Sequence, residues 1–153
     1  MDDGGFGLNK GGSDLDITSM SIQALAPYID KKDVYTNAAG KRVDVKKAIN
    51  SALTYLSKKQ NDGGYFTFQN HYSSDSGSQV ILALCSLGID PTKDKRFIKN
   101  GGDPVSALLS FETGWRNRHR FRFFGSRQED KRAGNETSYF SNHSTETIAK
   151  RKW

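Results

Sequence analysis

Cysteine is almost absent: Cys85 is the only one in 153 residues, which excludes an intrachain disulfide and any multi-cysteine metal site. The three histidines, His71, His119 and His143, are scattered, and no metal-ligand set forms at a usable spacing. No stretch of about 18 apolar residues occurs, so no membrane-spanning helix is encoded. Met1 is followed by two aspartates and a glycine turn, so no secretory leader is expected at this start. Arginine is scarce through most of the chain. Only Arg42 and Arg96 precede Gly114, and seven arginines follow it. Residues 1–113 hold 13 basic and 13 acidic side chains, whereas residues 114–153 hold 10 and 4, so the net charge of +6 belongs to the tail. The low hydrophobic fraction, 35%, has the same local origin in a chain otherwise long enough for one core.

What is present is a phrase used twice. Gln60-Asn61-Asp62-Gly63-Gly64-Tyr65-Phe66 repeats Asp3-Gly4-Gly5-Phe6 at an offset of 59 positions. At that offset Asp16 falls on Asp75, Ser19 on Ser78, Ala24 on Ala83 and Leu25 on Leu84. Each copy reads as a glycine turn, a polar loop, an Asp near a helix start, and an apolar helix. A period of this length with helical content marks units that bury their apolar faces against neighbours. The chain begins inside such a unit, which points to a fragment of a longer protein. Paired glycines let the backbone reverse tightly, Asp62 is placed to bond the freed amides, and Tyr65 or Phe66 to pack over the turn. The turn is thus read mainly as a structural tie.

Four helices are expected. The first covers roughly 14–27, capped by Ser13 or Asp14. Its apolar positions Leu15, Met20, Ile22, Ala24 and Leu25 spread around the helix, as for a helix enclosed by others. The second, about 43–58, is one-sided: Val45, Ala48, Ile49, Ala52, Leu53 and Leu56 form one face, and Lys46, Lys47, Asn50 and Lys58 the other. The third, about 75–88, is apolar all round and expected to be buried, Cys85 included as a small hydrophobe. Gly88 supplies its stop. A short turn is expected at 93–99. The fourth starts at Asp103-Pro104 and runs to Phe111. Buried and one-sided helices alternate, as in two layers of α-hairpins.

By register a third glycine turn is due near residue 115. The chain instead gives Gly114-Trp115-Arg116-Asn117-Arg118-His119-Arg120-Phe121-Arg122. One reading is a frameshifted tail: dropping one base at Thr113 permits Gln-Asp-Gly-Gly directly after Glu112. The same frame permits Lys-Thr-Asn-Glu-Leu-Ala-Thr across Glu129–Thr137. The tail 113–153 then has no native fold, and 1–112 is the folded unit. The competing reading is a nucleic-acid arm, with Arg on phosphates and aromatic rings on bases. Nucleic acid is otherwise not an expected partner.

Asp3-Gly4-Gly5-Phe6, Gln60-Asn61-Asp62-Gly63-Gly64-Tyr65 and Asp14-Leu15-Asp16-Ile17-Thr18-Ser19-Met20 resemble the repeats of the terpenoid cyclase/protein prenyltransferase α/α-toroid superfamily. The likeness covers residues 1–112. It is nearest to the prenyltransferase/squalene-cyclase-repeat modules of bacterial cell-surface proteins, which are related to cobalamin carriers. It implies an all-α fold, a partial α/α toroid of about two helical hairpins, with the C-terminal 40 residues irregular. It also implies an extracellular or cell-surface setting, with the remaining toroid repeats of a longer chain as partners.

Class II terpene cyclases of this superfamily use the central Asp of Asp-x-Asp-Asp-Thr as an acid. Here Asp14, Asp16 and Thr18 match, but Ile17 stands where the last Asp is needed. Ser74-Asp75-Ser76 in the second copy argues that such an Asp serves as a helix-start cap. The zinc of protein prenyltransferases has no ligand set here, Cys85 standing alone. In a toroid, the N-terminal ends of the inner helices line a mouth, which places Asp14, Asp16, Ser19, Tyr72, Asp75, Ser78 and Gln79 around an apolar cup. The expected function is a non-catalytic module binding a bulky ligand or a partner protein. No cofactor is called for, and a cobalamin-like ligand enters only through the family. An enzyme acting through Asp16 is the alternative. Asn100-Gly101-Gly102-Asp103 reads as a plain loop, and the sequons at Asn135 and Asn142 lie in the tail. A fragment of this kind is expected to expose apolar helix surface and to associate.

Overall fold

A computed structural model of the chain describes residues 3–9, 11–115, 118–121 and 124–125, with side chains as far as Glu112. The chain is mainly helical. Helix α1 spans Leu15–Leu25, α2 Val45–Lys59, α3 Ser74–Ser86 and α4 Pro104–Leu109, within a few residues of the expected bounds. Each starts on a side-chain cap that satisfies an amide otherwise left open. Asp14 accepts from the Ile17 amide at 2.9 Å, Asp44 from Lys47 at 3.0 Å, and Asp103 from Val105 at 2.8 Å. The cap of α3 is Ser73, 3.1 Å from the Ser76 amide. Ser73 stands 59 residues after Asp14, so the repeat governs the capping position even where the capping residue changes. Asp14 caps α1 as expected, but the Asp16/Asp75 pair read as a repeated helix-start cap caps neither helix: both lie inside the first turn, of α1 and α3 respectively. Gly88 ends α3 at φ +70°, and the Ile89 amide returns to the Leu84 carbonyl at 3.0 Å.

Helices α1 and α2 pack as one hairpin and α3 and α4 as another, joined through α1 on α3. The core between them holds Ile22, Ile49, Leu53, Leu56, Val80 and Leu84, closed by Phe66 and Phe97. The face of α2 expected to be buried is buried, and Lys46, Lys47, Asn50 and Lys58 are exposed.

Four expectations need correction. Helix α3 is not buried all round: Leu82 is 51% exposed and Cys85 is exposed. Helix α1 leaves Met20 53% exposed. Each central helix has only two packed helix neighbours among the described elements, so part of its apolar circumference meets solvent. Helix α4 stops at Leu109, two residues short of Phe111, which turns back under Tyr65. The all-α expectation also omits short antiparallel pairs. Strand β1 (Tyr35–Thr36) pairs with β2 (Arg42–Val43), and β3 (Thr67–Phe68) with β4 (His71–Ser73). Gln69 and Asn70 turn the second hairpin with φ of 48° and 66°, the backbone twist that two-residue hairpin loops require.

Within the stretch read as an irregular tail, β5 (Glu112–Trp115) pairs with β6 (Arg118–Phe121), and β7 (Phe124–Gly125) pairs with β4. The helical pattern does stop where the sequence indicated. The side chains of the Arg/aromatic arm and of His119, together with His143 and both sequons, lie outside what is described.

Candidate functional site

The two glycine turns lead into the helix starts that carry the residues expected at a mouth. In the first, Gly4 takes φ +85°, and Asp3 accepts from the Gly5 amide at 3.1 Å and the Ser13 hydroxyl at 2.5 Å. Phe6 then receives the Asp14 amide at 2.8 Å, and its own amide donates to the Thr18 hydroxyl at 2.9 Å. The turn is thereby stitched to the first turn of α1. Tyr55 of α2 donates to the Ser13 carbonyl at 2.8 Å, which ties the outer helix to the same loop.

In the second turn, Gly63 and Gly64 take φ of +76° and +91°. A Cβ at Gly64 would overlap the Asp103 backbone, and one at Gly102 would overlap Gly63. The two loops thus meet backbone to backbone. Buried Gln60 donates to the Phe97 carbonyl at 2.9 Å, and the Gly63 amide donates to Lys99 at 3.2 Å. Tyr65 covers the turn and stacks on Tyr72, with ring centroids 4.5 Å apart. The role expected of Asp62 is filled only by its counterpart: Asp62 is exposed and makes no side-chain hydrogen bond to the turn amides among the described residues. Here the Lys99 loop supplies the partner instead.

With both turns fixed, α1 and α3 lie against each other with their N-terminal ends at one side. This brings Asp14, Asp16 and Asp75 into one electrostatic neighbourhood. Asp16 is the central group. One of its carboxylate oxygens is buried without a hydrogen-bond partner. Burial raises its pKa, the Ser76 hydroxyl opposes that shift, and the charges of Asp14 and Asp75 add to it. Further along, Gln23 donates to the Gln79 side chain at 3.1 Å.

The remaining residues assigned to the mouth divide. Ser19 is fully buried, and its hydroxyl returns to the Leu15 carbonyl at 2.9 Å. Its counterpart Ser78 does the same to Ser74 at 2.8 Å. These hydroxyls are occupied within their own helices, and Ser19 does not reach the rim. Tyr72 sits half-buried in β4 under Tyr65. Of the acid motif, Asp14 is engaged as a cap, and buried Thr18 is bonded to the Asp14 and Phe6 carbonyls at 2.5 and 3.1 Å. Of these, Asp16 alone keeps a buried oxygen without a hydrogen-bond partner.

Sequence reasoning missed Gln23 and Ser76, which join α1 to α3. A glutamine between Ile22 and Ala24 in an apolar stretch was the available signal for the first. It also missed an open polar groove of about 570 Å³ over α2, lined by Ile29, Lys31, Asp44, Lys47 and Asn50 among others. None of the mouth residues borders that groove. No cluster of three or more His, Cys, Asp or Glu able to hold a metal exists among the described residues. No described helix is long and apolar enough to cross a membrane. Comparison with family models, with curated proteins and with solved structures returned no match to this chain.

Proposed function

We propose that the chain is a non-catalytic binding module, part of an α/α toroid in a bacterial cell-surface or secreted protein. Its mouth at the starts of α1 and α3 would take a bulky ligand or a partner protein. The observation that carries this reading is the engagement of the mouth's polar groups. Asp14, Thr18, Ser19 and Ser78 are all committed to helix or turn backbone, which leaves a rigid rim rather than a set of reacting groups. Asp75, Asp16 and the Gln23–Gln79 pair remain to meet a ligand.

The alternative, an acid catalyst at Asp16, draws on its raised pKa and unpartnered oxygen. It lacks a second free carboxylate tied to Asp16 by a hydrogen bond. The test is direct. The chain is incubated with squalene and with a prenyl diphosphate, and is separately titrated with cyanocobalamin under amide-resolved NMR. The binding reading expects no product, and shifts confined to residues 14–23 and 72–79. Product that disappears in Asp16→Asn would establish the enzyme instead.

A further inference from the structure

The open sides of α1 and α3 are related by the 59-residue repeat. On α3, the side packed against α1 carries Ser76 and Gln79, and buried Ala83 follows Gln79 one turn on. Their counterparts on α1 are Ile17, Met20 and Ala24. Those three line the side of α1 that no described helix covers, Met20 and Ala24 being exposed. The converse also holds. On α1, the side packed against α3 carries Asp16 and Gln23. Their counterparts Asp75 and Leu82 are both exposed, and Cys85 lies one turn beyond Leu82 on the same side. Each open side is therefore the repeat-equivalent of a surface already packed inside the molecule. Ala24 and Ala83 are the same small residue, which allows the same close helix approach.

From this we propose that the open side of α3 docks on the open side of α1 of a second copy of this chain, extending the internal α1–α3 contact from one molecule to the next. The contact is head-to-tail, so it leaves one free side at each end and adds further copies or closes a ring. Leu82 is the principal apolar contact on one side and Met20 with Ala24 on the other. This inference rests on the repeat and on the α1–α3 packing, and is independent of what the mouth binds.

The test uses the full chain and two variants at exposed positions, Ala24→Arg and Leu82→Arg, each checked for native helix content by circular dichroism. In sedimentation velocity, the unmodified chain should gain mass with concentration and pass the dimer. Each variant alone should remain monomeric at concentrations where the unmodified chain associates. An equimolar mixture should form a dimer and stop, because one variant keeps its α3 side and the other its α1 side. A monomeric unmodified chain, a variant that associates as before, or a mixture that stays monomeric overturns the proposal. A second readout needs no variant: maleimide labelling of Cys85 should slow severalfold as protein concentration rises, and a rate independent of concentration counts against the contact.

Discussion

Gly64 is held at φ +91° against the Asp103 backbone, so it answers to two constraints at once. A side chain there strains the backbone and separates the two loops. Gly64→Ala is expected to cost about 2–3 kcal/mol in urea unfolding. Gly77, in contrast, sits inside α3 with open space where a Cβ would go. Gly77→Ala should stabilise by about 0.5–1 kcal/mol, the helical advantage of alanine over glycine.

Asp16 carries a pH signature at the start of α1. Its raised pKa means that the folded chain holds this proton more tightly than the unfolded chain does. Stability therefore falls as pH rises from the ordinary carboxylate value through the raised folded value. Asp16→Asn removes that penalty. It is expected to raise the Tm at pH 7, and the gain should vanish below the ordinary carboxylate value. An equal Tm difference at both pH values would show that the effect is not electrostatic. At this scale the sequence was informative for the glycines, whose need for positive φ is intrinsic. It was less so for Asp62, because the Lys99 loop that replaces its role is distant in the chain.

Among elements, the helices were legible because caps and periodicity are local: Asp14 before α1, the one-sided apolar face of α2, Asp103-Pro104 before α4, Gly88 after α3. The strand pairs were not. Two-residue strands such as Thr67–Phe68 are too short for alternation to register, and their pairing is set by the turn at Gln69-Asn70. Exposure on α3 was misread because an apolar run reports what a helix could bury, whereas its neighbours decide what it does bury. The tie between the hairpins depends on Gln60, whose donor on the Phe97 carbonyl is buried. Gln60→Ala leaves that carbonyl unpaired, and a loss of about 1–3 kcal/mol is expected. Hydrogen exchange would localise the loss to residues 93–103, and exchange unchanged there would mean that the Gln60 bond does not hold the loop.

For the whole molecule, the repeat places two hairpins side by side and leaves each central helix with a side that no described helix covers. The mouth, the open sides and the proposed self-association all depend on α1 lying along α3 with both N-terminal ends together. Nuclear Overhauser contacts between the two helices test that arrangement most directly. The account expects cross-peaks between the Gln23 side-chain amide and the Gln79 side chain, and between the β-protons of Asp16 and Ser76. Two well-formed helices with no cross-peaks between them would contradict it.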